Sequence, residues 1–376
     1  MFRNIFKKNS STKNSARTVY VGLSGGVDSA VSAALLKDTG YNVVGCFIKT
    51  WAPDGYPCPA EDDKRQSMRV AAHLRIPWIE IDAEDAYKNN VAQYLLNEYK
   101  AGRTPNGDIF CNTTVKFGTF YDVAMAHGAD YIATGHYAMT SPPTPLLKLE
   151  EGFQQTNKGV LYKGIDITKD QTYFLWKVPK EKLAKTLFPV GNIPKNKVRE
   201  LAKKYKLPNA ERPDSQGVCF LGPIDMKQYL KDMLKPVSGN VLDTSGNIIG
   251  THDGAILYTT GERHGFNITA PHTKPYFVMC KNANNNTITV HESLNMPVNQ
   301  NKIYANQINN LTNESLQNKE MNAVFRYHGE EYKIKLDPDN KIVFLNQDTI
   351  LVAEGQSVVF YDGNQCLGGG IISYSK

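Results

Sequence analysis

No stretch of this 376-residue sequence approaches the roughly 18 to 20 uninterrupted apolar residues that a membrane-spanning helix needs. The sequence also contains no CxxC pair, since its six cysteines, at positions 46, 58, 111, 219, 280 and 366, are scattered. Scattered cysteines disfavour a disulfide framework and a zinc ribbon. From the first absence we expect no membrane partner. From the second we interpret each cysteine either as an inert core residue or as a residue that takes part in the chemistry.

The first seventeen residues, MFRNIFKKNSSTKNSAR, have five basic side chains and no acidic one. They contain no apolar segment of the kind that secretory signals carry, which argues against secretion. Three interpretations stay open: a solvated extension, a tail that touches RNA, and an organellar transit peptide.

The composition is that of an ordinary globular protein, with 41% hydrophobic and 21% charged residues. A chain of this length is long for one core, so two or three domains are expected. The net charge of +6 is compatible with an anionic partner such as an RNA, although charge alone does not establish one.

Residues 18 to about 140 alternate short apolar runs with amphipathic stretches. The predicted strands are TVYVGL, NVVGCFI, PWIEID and DYIATGHY; helices are predicted over Asp28 to Lys37, Glu61 to Leu74 and Ala83 to Lys100, and a further one, capped by Asn112 or Thr113, runs to His127. Such alternation predicts an α/β fold with a parallel sheet covered on both faces. Ligands bind such sheets at the carboxyl ends of the strands, where GLSGGVDS, FIKTW and ATGHY stand.

From about residue 236 the pattern changes to short β-type runs separated by Gly, Asn and Asp turns. This pattern predicts an all-β C-terminal third that forms a small barrel.

The stretch GLSGGVDS, residues 22 to 29, places glycines and hydroxyl side chains between the first strand and the first helix. Glycines let backbone N–H groups approach an anion, and the helix N-terminus adds about half a positive charge. The stretch is neither a Walker loop, which needs a lysine after its second glycine, nor GxGxxG. It predicts a phosphate cradle of another kind.

SGGVDS resembles the pyrophosphate loop (PP-loop) of the ATP pyrophosphatases. Further motifs follow in order: GRTPNGDIFCN, ATGHYA, KDQTYFLW, LFPVG, DSQGVCFLG and GQSVVFYDGNQCLGGG. Together they resemble the bacterial and mitochondrial tRNA-specific 2-thiouridylases from about Thr18 to the C-terminus. The resemblance implies an adenine-nucleotide alpha-hydrolase-like domain over 18–210 after a basic tail over 1–17, a small central tRNA-contacting domain over 211–283, and a β-barrel over 284–376.

The activity that this resemblance implies is the 2-thiolation of the wobble uridine, position 34, of certain tRNAs. ATP adenylates the carbonyl oxygen, because that oxygen is a poor leaving group, and a persulfide sulfur then displaces AMP. Mg²⁺ is needed for pyrophosphate to leave, and since no metal-binding motif is visible, the ion is expected to accompany ATP.

Two cysteines match the catalytic positions of the family. Cys219 matches the persulfide carrier, and Cys111 matches the nucleophile that attacks the persulfide or closes a transient disulfide with Cys219. Asp108 matches the acidic residue beside the target base, where it would take the ring proton. A buried structural cysteine and a turn carboxylate are the alternative readings of these residues.

The remaining site residues are also implied by position in the family. The ATP contacts are Gly22, Leu23, Ser24, Gly25, Gly26, Val27, Asp28, Ser29, Ile48 and Gly135. The tRNA contacts are Asn106, Gly107, Asp108, His136, Lys169, Asp170, Gln171, Arg326, Tyr327 and Gln356. The family commonly has proline where Gly107 stands, so a looser base-binding turn is expected here.

The implied partners are tRNA and a persulfide donor, either a cysteine desulfurase or a relay protein. A monomer in the cytoplasm is expected, or in the mitochondrial matrix if residues 1–17 are a transit peptide. Two alternatives stay open: another PP-loop ligase or synthetase that acts on RNA or a small molecule without essential thiols, and a non-catalytic RNA-binding module. Iron–sulfur thiolation enzymes of this loop class usually carry CxxC pairs, which are absent here.

Overall fold

The structure is a computed structural model that describes residues 16–53, 55–56, 60–140, 159–214, 225–269, 271, 273–293, 303–345 and 350–375. Cys58, Cys219 and nearly all of the basic tail lie outside these residues.

The strands are β1 (Thr18–Gly22), β2 (Asn42–Lys49), β3 (Trp78–Asp82), β4 (Tyr131–Ala133), β5 (Ala138–Met139), β6 (Leu161–Lys163), β7 (Thr186–Leu187), β8 (Gly239–Leu242), β9 (Ile248–His252), β10 (Phe266–Ile268), β11 (Phe277–Asn282), β12 (Thr287–His291), β13 (Tyr304–Asn310), β14 (Glu320–Val324), β15 (Glu331–Leu336), β16 (Ile342–Phe344), β17 (Ser357–Asp362) and β18 (Gln365–Ser373). The α-helices are α1 (Val27–Asp38), α2 (Ala60–Leu74), α3 (Glu84–Tyr87), α4 (Gln93–Lys100), α5 (Gly107–Cys111), α6 (Tyr121–Ala126), α7 (Lys180–Leu183), α8 (Lys195–Lys204) and α9 (Met226–Leu234). Wider π-helical turns, Lys88–Ala92 and Asn112–Phe120, join α3 to α4 and α5 to α6, and 3-10 turns cover Thr172–Phe174 and Ala255–Leu257.

The N-terminal sheet has the order β3-β2-β1-β4-β7, and all its neighbouring strands are parallel. Parallel strands need crossover connections, and the helices that supply them must cover the faces of the sheet. Val19 and Val21 belong to a core shared with α1, α2 and α8, whereas Tyr20 belongs to the opposite core. The predicted parallel sheet with both faces covered is confirmed.

The carboxyl ends of β2, β1 and β4 lie side by side, because β1 pairs with both of the other strands. Gly22, Ile48 and Ala133 stand at or next to these ends. The pairing therefore brings the glycine loop, Ile48 and the turn after β4 to one edge of the sheet, as expected for an open α/β sheet.

The helical stretch that carries Cys111 begins earlier than the sequence predicted. Asn106, not Asn112 or Thr113, is the N-cap, since its side chain accepts a hydrogen bond of 3.3 Å from the amide of Ile109. From Gly107 the helix passes through the π-helical turns and continues to Ala126 without a new cap. The cap at Asn112 or Thr113 was wrong, because the wider turns keep the chain helical there.

A second sheet has the order β10-β9-β8-β12-β11 and is antiparallel except for the β8–β12 pair. Helix α9 packs on its core through Leu230 and contacts α4 of the N-terminal region. The domain boundaries expected from the sequence stay a prediction, and the sheet itself extends through His291.

The C-terminal strands form an antiparallel sheet in the order β16-β15-β14-β17-β18, and β13 pairs with the far side of β18. Tyr304 of β13 also forms a bridge with Lys341, next to β16, so the strands close on themselves. The expected C-terminal barrel is thus present. Strands β5 and β6 of the N-terminal region extend from β18 and connect the two parts.

Among the residues that the structure describes, no helix combines the length and apolarity needed to cross a membrane.

Candidate functional site

The glycine loop turns sharply between β1 and α1. Gly25 has a φ of +77°, a conformation that favours glycine. Gly26 is the N-cap of α1 and offers no side chain to accept hydrogen bonds from the first helical turn. The first-turn amides and the helix dipole therefore remain available for an anion, as in other helix N-terminal phosphate sites.

The turn after β4 lies directly against this helix N-terminus. A Cβ added to Gly135 would stand 2.7 Å from the amide nitrogen of Ser29 and 2.9 Å from the carbonyl carbon of Asp28. Because both are backbone atoms, neither can move aside as a side chain could. Glycine at 135 is required by this close approach of two backbones, which supports its predicted place at the nucleotide.

Asp28, in the first turn of α1, is held by two groups from distant segments. The ammonium of Lys195 bonds both of its carboxylate oxygens, at 2.7 and 2.8 Å, and the hydroxyl of Tyr137 donates to one of them at 2.8 Å. Burial, with the negative charge of Asp28, raises the pKa of Tyr137, so the phenol keeps the proton that it donates.

Lys195 also bonds Asp214 at 2.9 Å, and Asp214 receives two further cations, Arg199 at 2.5 Å and Lys169 at 3.2 Å. Burial opposes ionisation of this carboxyl, but the hydrogen bonds and charges of these cations outweigh it and lower the pKa of Asp214 to about 2. Asp214 is the first residue of the motif DSQGVCFLG and stands at the end of the described stretch before Cys219.

Two other side chains fix the same segment to the glycine loop. The amide of Asn209 donates to the carbonyl oxygen of Gly25 at 2.8 Å, and Arg212 donates to the same oxygen at 3.1 Å. Arg212 also pairs with Asp62 and Asp63 of α2. The chain that leads to Cys219 is therefore anchored on the predicted nucleotide loop.

Helix α5 presents the predicted base-contacting residues. Asn106 caps it and Gly107 is its first residue, a position where proline is well tolerated. Asp108 is half-buried, whereas Cys111 is 1% exposed. Glycine was expected to loosen this turn, but the turn is an ordinary capped helix start. A Cβ added to Gly107 would lie 3.2 Å from the side chain of Leu95.

His136, a predicted tRNA contact, is only 8% exposed and lies between the rings of Phe117 and Phe188. Its Nδ1 is 2.7 Å from the hydroxyl of Thr134 and its Nε2 is 3.3 Å from the ammonium of Lys116. Burial, then the charge of Lys116, lowers its pKa well below 6.5. Because an ammonium can only donate, Nε2 accepts, and the ring is neutral with its proton on Nδ1.

The predicted tripeptide 169–171 is connected to the nucleotide loop through Tyr137. Gln171 accepts from the amide of Tyr137 at 3.0 Å and donates its own amide to the carbonyl of Tyr137 at 2.9 Å. Asp170 accepts from the amide of Gly164 and from Thr172. Lys169, through Asp214, completes a continuous set of contacts from the tripeptide to Asp28.

Arg326 and Tyr327 lie beyond β14 and are exposed, with Tyr327 at 36%. The ring of Tyr327 packs on Phe174 with centroids 4.4 Å apart, immediately beyond the tripeptide. Gln356 lies elsewhere: its amide donates to the carbonyl of Thr104 at 2.8 Å, just before the cap of α5. The barrel therefore reaches the N-terminal region at two of the predicted tRNA-contacting segments.

Three family profiles match the chain: the "tRNA methyl transferase HUP domain" over residues 17–223, the "tRNA methyl transferase PRC-barrel domain" over 227–292, and the "Aminomethyltransferase beta-barrel domain" over 300–372. The chain is 38% identical over 364 residues to the tRNA-specific 2-thiouridylase MnmA of Bacillus subtilis (strain 168), with 94% of each chain covered. The chain belongs to the tRNA-specific 2-thiouridylase family.

A further relative is the tRNA-specific 2-thiouridylase MnmA of Enterococcus faecalis, 38% identical over 375 residues with 96% of each chain covered. Among solved structures, the U34-tRNA thiolase NcsA from Methanococcus maripaludis with its [4Fe-4S] cluster aligns at 19% identity. The alignment covers 59% of this chain and 65% of that one, with a TM-score of 0.35.

For a member of this family, the loop geometry fits ATP: a left-handed glycine, an uncapped helix N-terminus, and a second backbone in close approach at Gly135. In the described part of the chain, no group of three or more His, Cys, Asp or Glu side chains is arranged to hold a metal ion. Asp28, the carboxylate nearest the loop, already has both oxygens bonded to Lys195.

Sequence reasoning missed the residues that join the parts of the site: Tyr137, Lys195, Asn209, Arg212 and Asp214. Tyr137 and Asp214 belong to the motifs ATGHYA and DSQGVCFLG, so the motifs offered a signal for them. Lys195 is one of several lysines on a basic helix, and nothing in its local sequence distinguishes it.

Proposed function

We propose that this protein converts the wobble uridine of its tRNA substrates to 2-thiouridine, and that it does so by adenylation with ATP followed by sulfur transfer from a persulfide on Cys219. The uridine oxygen attacks the α-phosphorus and pyrophosphate leaves. The terminal persulfide sulfur then attacks C2 and displaces AMP. Thiolate attack by Cys111 on the sulfur of Cys219 forms a disulfide and leaves the sulfur on the base.

The observation that carries this proposal is the anchoring of residues 209–214, which precede the Cys219 motif in the sequence, on the proposed nucleotide loop. Asn209 and Arg212 bond the carbonyl of Gly25, and Asp214 shares Lys195 with Asp28. Cys219 is five residues beyond Asp214, so chain geometry limits the separation of their Cα atoms to about 18 Å. Two-step chemistry needs the activating site and the sulfur carrier close together.

Cys111 is on the same helical stretch that packs against the loop. The ring of Phe120 is 3.6 Å from the Cβ position of Gly22. Cys111 precedes Phe120 by nine residues, a distance of no more than about 14 Å along a helix. This supports a place for Cys111 between the nucleotide and the base. Its burial fits a nucleophile that acts only after the substrate has bound.

Asp108 stands one turn before Cys111, three residues earlier on α5, and is half-buried rather than enclosed. We assign it the uptake of the uracil ring proton during activation of the oxygen.

The tRNA contacts are assigned to Asn106 to Asp108, to the tripeptide 169–171 and to the exposed pair Arg326 and Tyr327. An arginine suits phosphate contact and a tyrosine suits base stacking. His136 is enclosed by Phe117 and Phe188, so a tRNA contact there would require a local rearrangement.

We further assign Mg²⁺ to the phosphates of ATP rather than to a protein ligand set. A persulfide donor, a cysteine desulfurase or a relay protein, is required to load Cys219. A monomeric enzyme in the cytoplasm completes the proposal, with the mitochondrial matrix as the alternative compartment.

The decisive experiment incubates the protein with ATP, Mg²⁺, a persulfide donor and unmodified tRNA, digests the tRNA, and measures 2-thiouridine by mass spectrometry. Formation of 2-thiouridine that requires ATP and both Cys111 and Cys219 is expected. Cys280→Ser is the matched control, because Cys280 is exposed on β11. ATP consumption without thiouridine, unchanged in both cysteine variants, would instead identify a ligase of the same loop class.

A further inference from the structure

The segment Thr104–Pro105, which immediately precedes the cap of α5, is held by both of the other sheets. Thr104 is 5% exposed, and its side chain, amide and carbonyl each bond a residue more than 150 positions away. This segment leads directly into Asn106 to Cys111.

The second sheet contributes Lys281 of β11. Its ammonium donates to the hydroxyl of Thr104 at 3.2 Å and to the carbonyl of Tyr258 at 2.6 Å. Burial lowers the pKa of Lys281 to about 8, against the raising effect of Glu262 and Glu354. The side chain is therefore largely protonated at neutral pH and is committed to these acceptors.

The barrel contributes the turn Glu354–Gln356. The amide of Thr104 donates to the carbonyl of Glu354 at 2.8 Å, and the side-chain amide of Gln356 donates back to the carbonyl of Thr104 at 2.8 Å. Gly355 has a φ of +89°, and a Cβ there would lie 3.1 Å from the amide nitrogen of Thr104. The two backbones are thus in close contact.

We propose that Lys281 and Gln356 are positioning residues that fix Thr104 from opposite sides and thereby set the place of Asp108 and Cys111. The importance of these two reacting groups rests on the proposed function. The assignment gives Gln356 an intramolecular task, distinct from the tRNA contact that the family resemblance implies for it. Only Pro105 and Asn106 lie between Thr104 and the first residue of α5, and the proline limits the freedom of that link.

The test measures three quantities on the full-length protein: the alkylation rate of Cys111 in the absence of tRNA, followed by peptide mass spectrometry; the Kd for tRNA; and kcat for thiouridine formation. For Gln356→Leu and Lys281→Met we expect alkylation of Cys111 to rise about tenfold and kcat to fall about tenfold, the loss of roughly one well-placed hydrogen bond. We expect the Kd for tRNA to change by less than about twofold, since no tRNA contact is removed.

Two further variants make the test specific. Lys274→Met removes an equal charge from an exposed position of the same region and should leave all three quantities unchanged. Thr104→Val removes the acceptor of Lys281 with little change in volume. It can therefore replace Lys281→Met in the test if that variant fails to fold. If the contact is the cause, Thr104→Val combined with Lys281→Met should lose no more than Lys281→Met alone, which also removes the bond to Tyr258.

The proposal is overturned if Gln356→Leu weakens tRNA binding about tenfold while alkylation of Cys111 stays at the rate of the unchanged protein. That result would make Gln356 a tRNA contact only. A failure of the proposed function is recognised separately, because the alkylation rates report the position of Cys111 even in a protein that forms no thiouridine.

Discussion

The proposed nucleotide end and the proposed base end of the site are held by different forces. The nucleotide end, around Asp28, is held by charges: Lys195 joins it to Asp214, and Arg199 and Lys169 complete the set. The base end, from Thr104 to Cys111, is held mainly by bonds to backbone carbonyls and amides, by a capped helix start and by packing.

This difference matches the ligand that we propose for each end. A polyanion beside two carboxylates requires cations of the protein to offset the repulsion, and the network around Lys195 supplies them. A uracil ring is neutral and requires accurate placement, which backbone hydrogen bonds and close packing give. We therefore expect changes at one end to leave the other end largely intact.

The largest expected effect is at the base end. Cys111→Ser should lower thiouridine formation about 1000-fold or more, because a hydroxyl cannot replace the thiolate in attack on a sulfur. ATP binding, measured by isothermal titration, should stay unchanged. A variant that loses ATP binding as well would show that the two ends are not separable.

The converse change is Lys195→Met. It leaves Asp28 and Asp214 without their shared cation, so we expect ATP binding to weaken about tenfold or more and the free energy of unfolding to fall by about 2 kcal/mol. Lys197→Met is the control, because its ion pair with Glu200 is on an exposed surface. The alkylation rate of Cys111 should not change, and a large increase would contradict the comparison.

Gly135→Ala tests the close approach of two backbones at the nucleotide end. The added methyl would overlap the amide of Ser29 and the carbonyl carbon of Asp28, so a loss of about 2 to 3 kcal/mol in stability is expected by denaturant unfolding. Gly22→Ala is the matched control, since its Cβ would find nothing nearer than 3.6 Å. Equal losses in both variants would refute the steric argument.

His136, next to Gly135, predicts a pH dependence of stability. Its folded pKa lies well below 6.5, so below pH 6.5 the unfolded chain takes up a proton that the folded protein does not. The stability that the neutral ring contributes is therefore present above pH 6.5. It is lost as the pH falls below that value, by up to about 1.4 kcal/mol per pH unit. The charged and polar groups that face it are Lys116 and Thr134. In His136→Asn the stability should fall less between pH 6.5 and 5, and an unchanged slope would rule out a buried neutral ring.

The smallest effect is expected at the first residue of α5. Gly107→Pro should raise the stability by at most about 1 kcal/mol, because proline suits the first position of a helix and restricts the unfolded chain. Leu95 must give way slightly to admit the ring. Gly128→Pro is the control: its φ of +85° is closed to proline, so a clear loss is expected in thermal unfolding.

Much of the fold could be predicted from the sequence because its signals are local. Buried parallel strands read as apolar runs, and the glycine loop stands where a strand meets a helix, so β1, α1 and β2 were placed within a residue or two. The N-cap at Asn106 was missed, because the π-helical segment Asn112–Phe120 that follows α5 has no pattern that distinguishes it from a new helix.

The amino-acid sequence by itself determined the loop, the two motif-borne cysteines and the order of an α/β part before a β part, since each depends on residues that are neighbours in the chain. Only the tertiary structure decided which distant groups hold them: Lys195 between Asp28 and Asp214, Tyr137 on Asp28, and Thr104 between two sheets. Except for Lys195 and Asp214, these contacts join residues about 100 to 250 positions apart. The packing of the sheets decides which residues form these contacts. The local sequence around a lysine or a threonine does not show whether it forms one.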